Sequence, residues 1–164
     1  MSMWGNLSED ELVRAGRDAL RGLRFSRARD LFEEYLRRLE KDGRGAPAGV
    51  LANYALTVGK TGDVKHGIAL CLAAVKTNRK VAEVYYCLAQ LYLLSGSRKL
   101  AVETVEQGLA CGPAHIGLRE TQDRMGVRGS PILPFLDRDN PINVRLGRAL
   151  RRRRGKGRGS VVAA

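Results

Sequence analysis

The chain has 164 residues, of which 44% are hydrophobic, and this is enough for one domain with its own core. No apolar run approaches the roughly 20 residues of a membrane span, and Met1 to Glu11 lacks the basic-then-apolar pattern of a secretory signal. We therefore expect a cytoplasmic protein without a transmembrane span. Its net charge of +12 is unevenly distributed and is concentrated near the C-terminus.

The first predicted helix begins with a capping signal, since Ser8 is followed three residues later by Glu11. We expect this helix to run to about Gly22, with four apolar residues on one face: Leu12, Ala15, Ala19 and Leu23. A second helix is predicted from about Ser26 to Lys41, because its apolar residues recur at three- and four-residue spacing.

Five further helices are predicted after a Gly/Pro-rich linker at residues 42–47. Their expected bounds are about 48–61, 64–78, 82–95, 98–111 and 115–126. In the last of them, the apolar side would be formed by Ile116, Leu118 and Met125.

Small residues recur at a spacing of 34 residues in the second and third helix pairs. Ala55 and Ala89 are equivalent, as are Gly67 and Ala101, and small side chains let two helix backbones approach where they cross. Residues 82–115 resemble the tetratricopeptide repeat (TPR), a helix–turn–helix module. The matching residues are Tyr85, Leu88, Ala89, Tyr92, Gly96, Ala101, Val105, Gly108 and Pro113.

The resemblance implies an all-α fold, a TPR helix–turn–helix solenoid forming a right-handed superhelix, with a C-terminal capping helix and a basic tail. Three TPR units at about 9–42, 48–81 and 82–115, together with the capping helix, would make up residues 1–126. Terminal capping of this kind covers the apolar face of a last repeat.

The TPR resemblance also implies a concave groove lined by the first helix of each repeat, which in this family usually takes a peptide or a helix. The groove-facing positions of the family give these candidate residues: Arg14, Arg17, Arg21, Asn53, Leu56, Lys60, Tyr86, Gln90, Leu93 and Leu94. They are basic in the first repeat and apolar or aromatic in the third. A partner segment with an acidic end and an apolar end would match them.

Some members of the family grip the C-terminal carboxylate of a partner through a clamp of Lys, Asn and Arg side chains. At the five clamp positions this chain has Val13, Arg17, Asn53, Glu83 and Cys87. Only Asn53 agrees, and Glu83 would repel a carboxylate. A chaperone adaptor of the clamp type is therefore disfavoured.

The sequence contains no recognisable set of catalytic side chains at a supporting spacing, so we expect no enzyme activity. Gly59-Lys60-Thr61 imitates the end of a phosphate-binding loop, but Tyr54 stands where that loop needs its first glycine. The cysteines and the two histidines lack metal-ligand spacing, and we expect neither a metal nor another cofactor.

The C-terminal part divides into three predicted segments. Residues 127–140 are rich in proline and apolar residues, and Ile132 to Leu136 would pack on this chain or form a homo-oligomer contact. Residues 141–154 are predicted to form a basic helix, and 155–164 a disordered tail. Nucleic acid or an acidic surface could bind six of the arginines. These are Arg145, Arg148, Arg151, Arg152, Arg153 and Arg154.

These features favour a non-catalytic protein–protein interaction module, a TPR scaffold or adaptor that binds a peptide or helix in its groove. One alternative is a nucleic-acid-associated protein that uses the arginine-rich tail, although no aromatic residue for base stacking follows Phe135. A second alternative is a small TPR chaperone of the secretion type.

Overall fold

The computed structural model describes residues 4–126, which form seven α-helices and contain no β-strand. The helices are α1 Glu9–Arg21, α2 Phe25–Lys41, α3 Ala48–Lys60, α4 Val64–Thr77, α5 Ala82–Leu94, α6 Arg98–Cys111 and α7 Ile116–Arg124. The predicted all-α fold is confirmed, and each helix begins and ends within two residues of its expected bounds. Within the described part of the chain, no helix is both long and apolar enough to cross a membrane.

Several predictions concern residues outside the described part of the chain. They are the packing or self-association of Ile132 to Leu136, the basic helix at 141–154, the disordered tail at 155–164, and the polyanion-binding arginines between Arg145 and Arg154.

Local capping determines where the first helix begins. The Ser8 side chain accepts a hydrogen bond from the Glu11 backbone N–H at 3.3 Å, and the Ser8 backbone N–H donates to the Glu11 carboxylate at 2.7 Å. This is the predicted capping box. The charged carboxylate accepts hydrogen bonds from the Ser8 backbone N–H and, at 2.8 Å, from the Ser8 hydroxyl, and these lower the pKa of Glu11. The two helix pairs that follow turn through Gly62 and Gly96, whose φ angles of +121° and +77° favour glycine.

The helices are arranged as antiparallel pairs that pack on one another in sequence. The pairs α1–α2, α3–α4 and α5–α6 each pack internally, and α1 packs on α3, α3 on α5, and α5 on α7. The first helices of the three pairs therefore form one continuous layer, and α7 extends that layer by one more helix.

Small residues occupy the helix crossings, as the repeat pattern predicts. Ala28, Ala55, Ala89 and Ala101 are completely buried. At the α3–α4 crossing, a Cβ atom built on Gly67 would lie 2.7 Å from the Ala55 carbonyl oxygen and 3.0 Å from a backbone nitrogen. Backbone atoms cannot move aside as a flexible side chain can, so this crossing needs glycine.

The core consists of two clusters of buried apolar side chains. One lies between α1 and α2 and includes Leu12, Leu31 and Phe32, and the other lies between α3, α4 and α5. Leu20 packs against both clusters. Burial of apolar surface thus continues along the stack and couples each helix pair to the next.

Two residues predicted to lie on apolar helix faces are exposed instead. Leu23 lies beyond the end of α1, where Arg21 is the last helical residue, and it is 73% exposed. Ile116 is the first residue of α7 and is 72% exposed, whereas Leu118 and Met125 of the same helix are buried. The predicted core positions of Leu23 and Ile116 are therefore wrong, because each stands at a helix end, where the helical periodicity no longer determines the buried side.

We expect Gly67→Ala to lower the free energy of unfolding by about 1–3 kcal/mol, because the added methyl group would press on the α3 backbone. Gly49→Ala is the matched control, since a Cβ atom at that helical position meets no atom within 4 Å. The control should raise stability by up to about 1 kcal/mol. Urea denaturation of both variants measures the difference, and equal effects would contradict the close crossing.

The three cysteines should differ sharply in reactivity. Burial raises the pKa of Cys71 to about 12 and also raises that of Cys87, whereas Cys111 is exposed. The thiolate is the reactive form, so a raised pKa suppresses reaction at neutral and mildly alkaline pH. We expect a thiol reagent to label Cys111 rapidly in the folded protein, and Cys71 and Cys87 only after denaturation. Peptide mapping of the labelled sites would show whether this order holds.

Candidate functional site

A groove of about 840 Å³ lies along the layer formed by α1, α3, α5 and α7. Its size is within the range of ligand-binding clefts in proteins. The residues that line it are Arg17, Leu20, Arg21, Leu23, Phe25, Asn53, Leu56, Lys60, Glu83, Tyr86, Gln90, His115, Ile116, Gly117 and Arg124.

Helical spacing places most of these side chains in the groove. Asn53, Leu56 and Lys60 of α3 are separated by three and four residues, so they share one face of that helix. Glu83, Tyr86 and Gln90 repeat this spacing on α5, and on α1 Leu20 and Arg21 follow Arg17 by three and four residues. Leu20 and Leu56 also pack with the core clusters.

Positive charge dominates the groove. The lining residues include four cations, Arg17, Arg21, Lys60 and Arg124, and one acid, Glu83. Arg21 lies 3.5 Å from Asp18, but both side chains are largely exposed and such a pair is weak. Within residues 4–126, Arg17, Lys60 and Arg124 form no ion pair. Their charges are therefore available to a ligand.

The one acidic residue of the lining is engaged by a histidine. His115 Nε2 lies 2.9 Å from a Glu83 carboxylate oxygen, and its Nδ1 accepts the Leu118 backbone N–H at 3.2 Å. The neutral ring protonated on Nε2 satisfies both contacts, because it then donates to Glu83 and caps α7. The ring also lies beside Tyr86, with the two ring centroids 5.5 Å apart. His115 therefore fixes the start of α7 against α5.

Buried hydrogen bonds hold the floor of the groove. The Cys87 thiol donates to the side-chain oxygen of Asn53 at 3.5 Å, and both residues are buried. The Gln90 amide donates to the Thr121 hydroxyl at 2.9 Å, which joins α5 to α7. These contacts lock side-chain orientations before any ligand arrives.

Comparison with known proteins identifies the fold. The described helices resemble the Sgt2 TPR domain from Aspergillus fumigatus, with a TM-score of 0.59, 18% identity, and coverage of 72% of this chain and 76% of that domain. The chain has the fold of a TPR domain. The second TPR domain of human RPAP3, solved in complex with the HSP70 peptide SGPTIEEVD, gives a TM-score of 0.53 at 14% identity. That match covers 73% of this chain and 98% of the RPAP3 domain.

Comparison of sequences alone identifies no relative. The chain matches no protein-family model, and it matches no curated protein. The similarity to TPR domains is therefore visible in the arrangement of the helices and not in overall sequence identity.

Seven of the ten predicted groove residues line the groove along the layer formed by α1, α3, α5 and α7. These are Arg17, Arg21, Asn53, Leu56, Lys60, Tyr86 and Gln90. Arg14, Leu93 and Leu94 do not line the groove. Arg14 and Leu94 are exposed elsewhere on their helices, and Leu93 is half-buried.

Six lining residues outside α1, α3 and α5 were not predicted: Leu23, Phe25, His115, Ile116, Gly117 and Arg124. A signal for two of them was present in the sequence. If a fourth repeat is counted from residue 116, then Gly117 and Arg124 fall at groove-facing positions 2 and 9 of the TPR unit. Because α7 continues the layer, the rule for groove positions extends to it.

The chemistry available in the groove is charge, hydrogen bonding and apolar contact. Within residues 4–126, no three His, Cys, Asp or Glu side chains come together to hold a metal ion. Asn53, which alone agrees with the carboxylate clamp, is 3% exposed and engaged by Cys87. The groove can thus attract acidic groups through its arginine and lysine side chains.

The two contacts of His115 can be separated by substitution. His115→Ala removes both, and we expect it to lower the free energy of unfolding by about 1 kcal/mol and to speed hydrogen exchange at the Leu118 amide. His115→Asn removes the contact with Glu83 but restores a capping oxygen, so Leu118 should stay protected. Equal protection of Leu118 in both variants, measured by NMR hydrogen exchange, would show that His115 does not cap α7.

Proposed function

We propose that this protein is a non-catalytic interaction module that binds a segment of a protein partner in the groove formed by α1, α3, α5 and α7. The observation that carries the proposal is the cationic lining of that groove, in which four positive side chains line one open surface. Such a surface attracts an acidic segment and repels a basic one.

The dimensions of the layer support a peptide as the ligand. Neighbouring packed helices lie roughly 10 Å apart, so four helices span about 30 Å. An extended chain advances about 3.3 Å per residue and would cross them with about nine residues. The RPAP3 domain, which shares the fold, was solved with a nine-residue peptide that contains three acidic residues.

Recognition would differ from that of a carboxylate clamp. Glu83 stands at a position where the clamp has a cation, and Asn53 is buried under Cys87. The available cations are distributed over α1, α3 and α7 instead of converging at one point. We infer that acidic side chains along the segment provide the recognition, and that a terminal carboxylate is not required.

Charge reversal in the groove tests the proposal. Peptides selected from a random phage-displayed library on the full chain would be measured by fluorescence anisotropy. The double variant Arg17→Glu/Lys60→Glu should weaken their binding by about tenfold or more, because attraction becomes repulsion. The matched control is Arg14→Glu/Lys65→Glu, which makes the same change in net charge at exposed residues outside the groove. Failure to select any peptide, or equal losses in both variants, would refute groove binding.

The arginine-rich C-terminal region supports a second candidate function, nucleic-acid association. Eight basic residues and no acidic one lie from Arg145 to the end of the sequence. Replacement of Arg151 to Arg154 by glutamine should leave peptide affinity unchanged if the groove is the functional site. Binding of a single-stranded RNA that is lost in this variant and at moderate salt, without any peptide binding, would favour the nucleic-acid function.

A further inference from the structure

The two most exposed large apolar residues in residues 4–126 line the same groove. Leu23 is 73% exposed and Ile116 is 72% exposed, whereas the other exposed leucines of this part of the chain do not exceed 44%. Leu23 contributes from the α1–α2 turn and Ile116 from the start of α7. The groove therefore combines its cations with apolar surface that the fold itself does not bury.

The backbone at Leu23 makes its exposure unexpected. Leu23 has a φ of +57°, and the corresponding turns of the next two helix pairs use Gly62 and Gly96. A left-handed conformation costs a non-glycine residue roughly 1–2 kcal/mol. Burial of the leucine side chain in the core does not offset that cost, because the side chain is exposed. Strained residues of this kind often occur at binding sites.

The position of Ile116 is fixed by its neighbours. His115 caps α7 and contacts Glu83, while a Cβ atom at Gly117 would lie 2.8 Å from the Tyr86 ring. The absence of a side chain at position 117 thus lets α7 approach Tyr86 closely. Ile116 is held at the edge of the groove by residues on both sides, and its exposure is not a consequence of a loose helix end.

Charge and apolar surface are adjacent within the groove. The Lys60 ammonium lies 5.8 Å from the centroid of the Phe25 ring, and Phe25 is two residues from Leu23. A ligand that contacts Leu23 would therefore have its neighbouring residues beside a cation. This adjacency favours a segment in which acidic residues flank an apolar one.

We propose that Leu23 and Ile116 each select a large apolar residue within an acidic segment of a partner protein, an inference that rests on the proposed function. The cations of the groove determine the acidic character of the ligand, and the two exposed side chains determine where its apolar residues must stand. The positive charge of the groove disfavours the basic residues from Arg145 onward, of this chain or of a second copy, as the occupant.

A thermodynamic cycle on the full chain tests the proposal. Leu23→Gly and Ile116→Ser would be compared with Leu100→Ser, an exposed leucine on α6 outside the groove. Each groove variant should weaken the best library-selected peptide by about tenfold, and the control should not. Replacing by alanine the apolar peptide residue that contacts Leu23 or Ile116 should weaken binding to the wild-type protein by a similar factor. The same replacement should cost the matching groove variant much less, because the contact is already lost.

The folding of each variant is measured separately by thermal unfolding. Glycine accepts the backbone angle of Leu23, and Ile116 is largely exposed, so all three variants should melt near the wild-type temperature. If Leu23→Gly proved unstable, Ile116→Ser would still test the proposal.

Three outcomes would overturn the inference while leaving groove binding intact. Selected peptides could depend on Arg17 and Lys60 but show no enrichment in large apolar residues, or Leu23→Gly and Ile116→Ser could bind them as tightly as wild type. Alternatively, sedimentation could show a dimer of the full chain that Leu23→Gly dissociates, which would make a second copy the occupant. Absence of any peptide bound in the groove would instead refute the proposed function as a whole.

Discussion

Close approach of helix backbones at a few small residues is the constraint on which the rest of the structure depends. Ala55 and Gly67 meet at the α3–α4 crossing, and Ala89 and Ala101 are completely buried in the next pair. Because these crossings are tight, each pair stacks directly on its neighbour. The stacking places α1, α3, α5 and α7 side by side, and their shared face becomes the groove.

The charge of the groove depends on which side chains its helices bury and which they leave exposed. On α3, Ala52 and Ala55 are completely buried in the core, while Lys60, the last residue of the helix, is exposed in the groove. Its single acid, Glu83, accepts a hydrogen bond from His115, and four cations outnumber it in the lining. The helices that bury the apolar core therefore also carry the charged side chains that line the groove.

Helix ends contribute to the groove in a way that helix interiors cannot. Leu23 follows α1 and Ile116 begins α7, and both project apolar side chains that no helix of the stack covers. An apolar residue inside a helix has neighbours one turn away on both sides, and these help to determine which side chains are buried. At an end those neighbours are missing on one side, so the direction of the side chain is determined by the turn.

The sequence by itself determined the seven helices and the small residues at their crossings, because local periodicity and a 34-residue repeat encode them. Seven of the residues that line the groove were expected there only from the resemblance to the TPR family. Capping by Ser8 and the turns at Gly62 and Gly96 were likewise readable, since each depends on residues close in the chain. Only the tertiary structure decided that Leu23 and Ile116 are exposed in the groove and that α7 extends it. Those facts depend on contacts between residues distant in sequence, such as His115 with Glu83 and Gly117 with Tyr86, which no local pattern specifies.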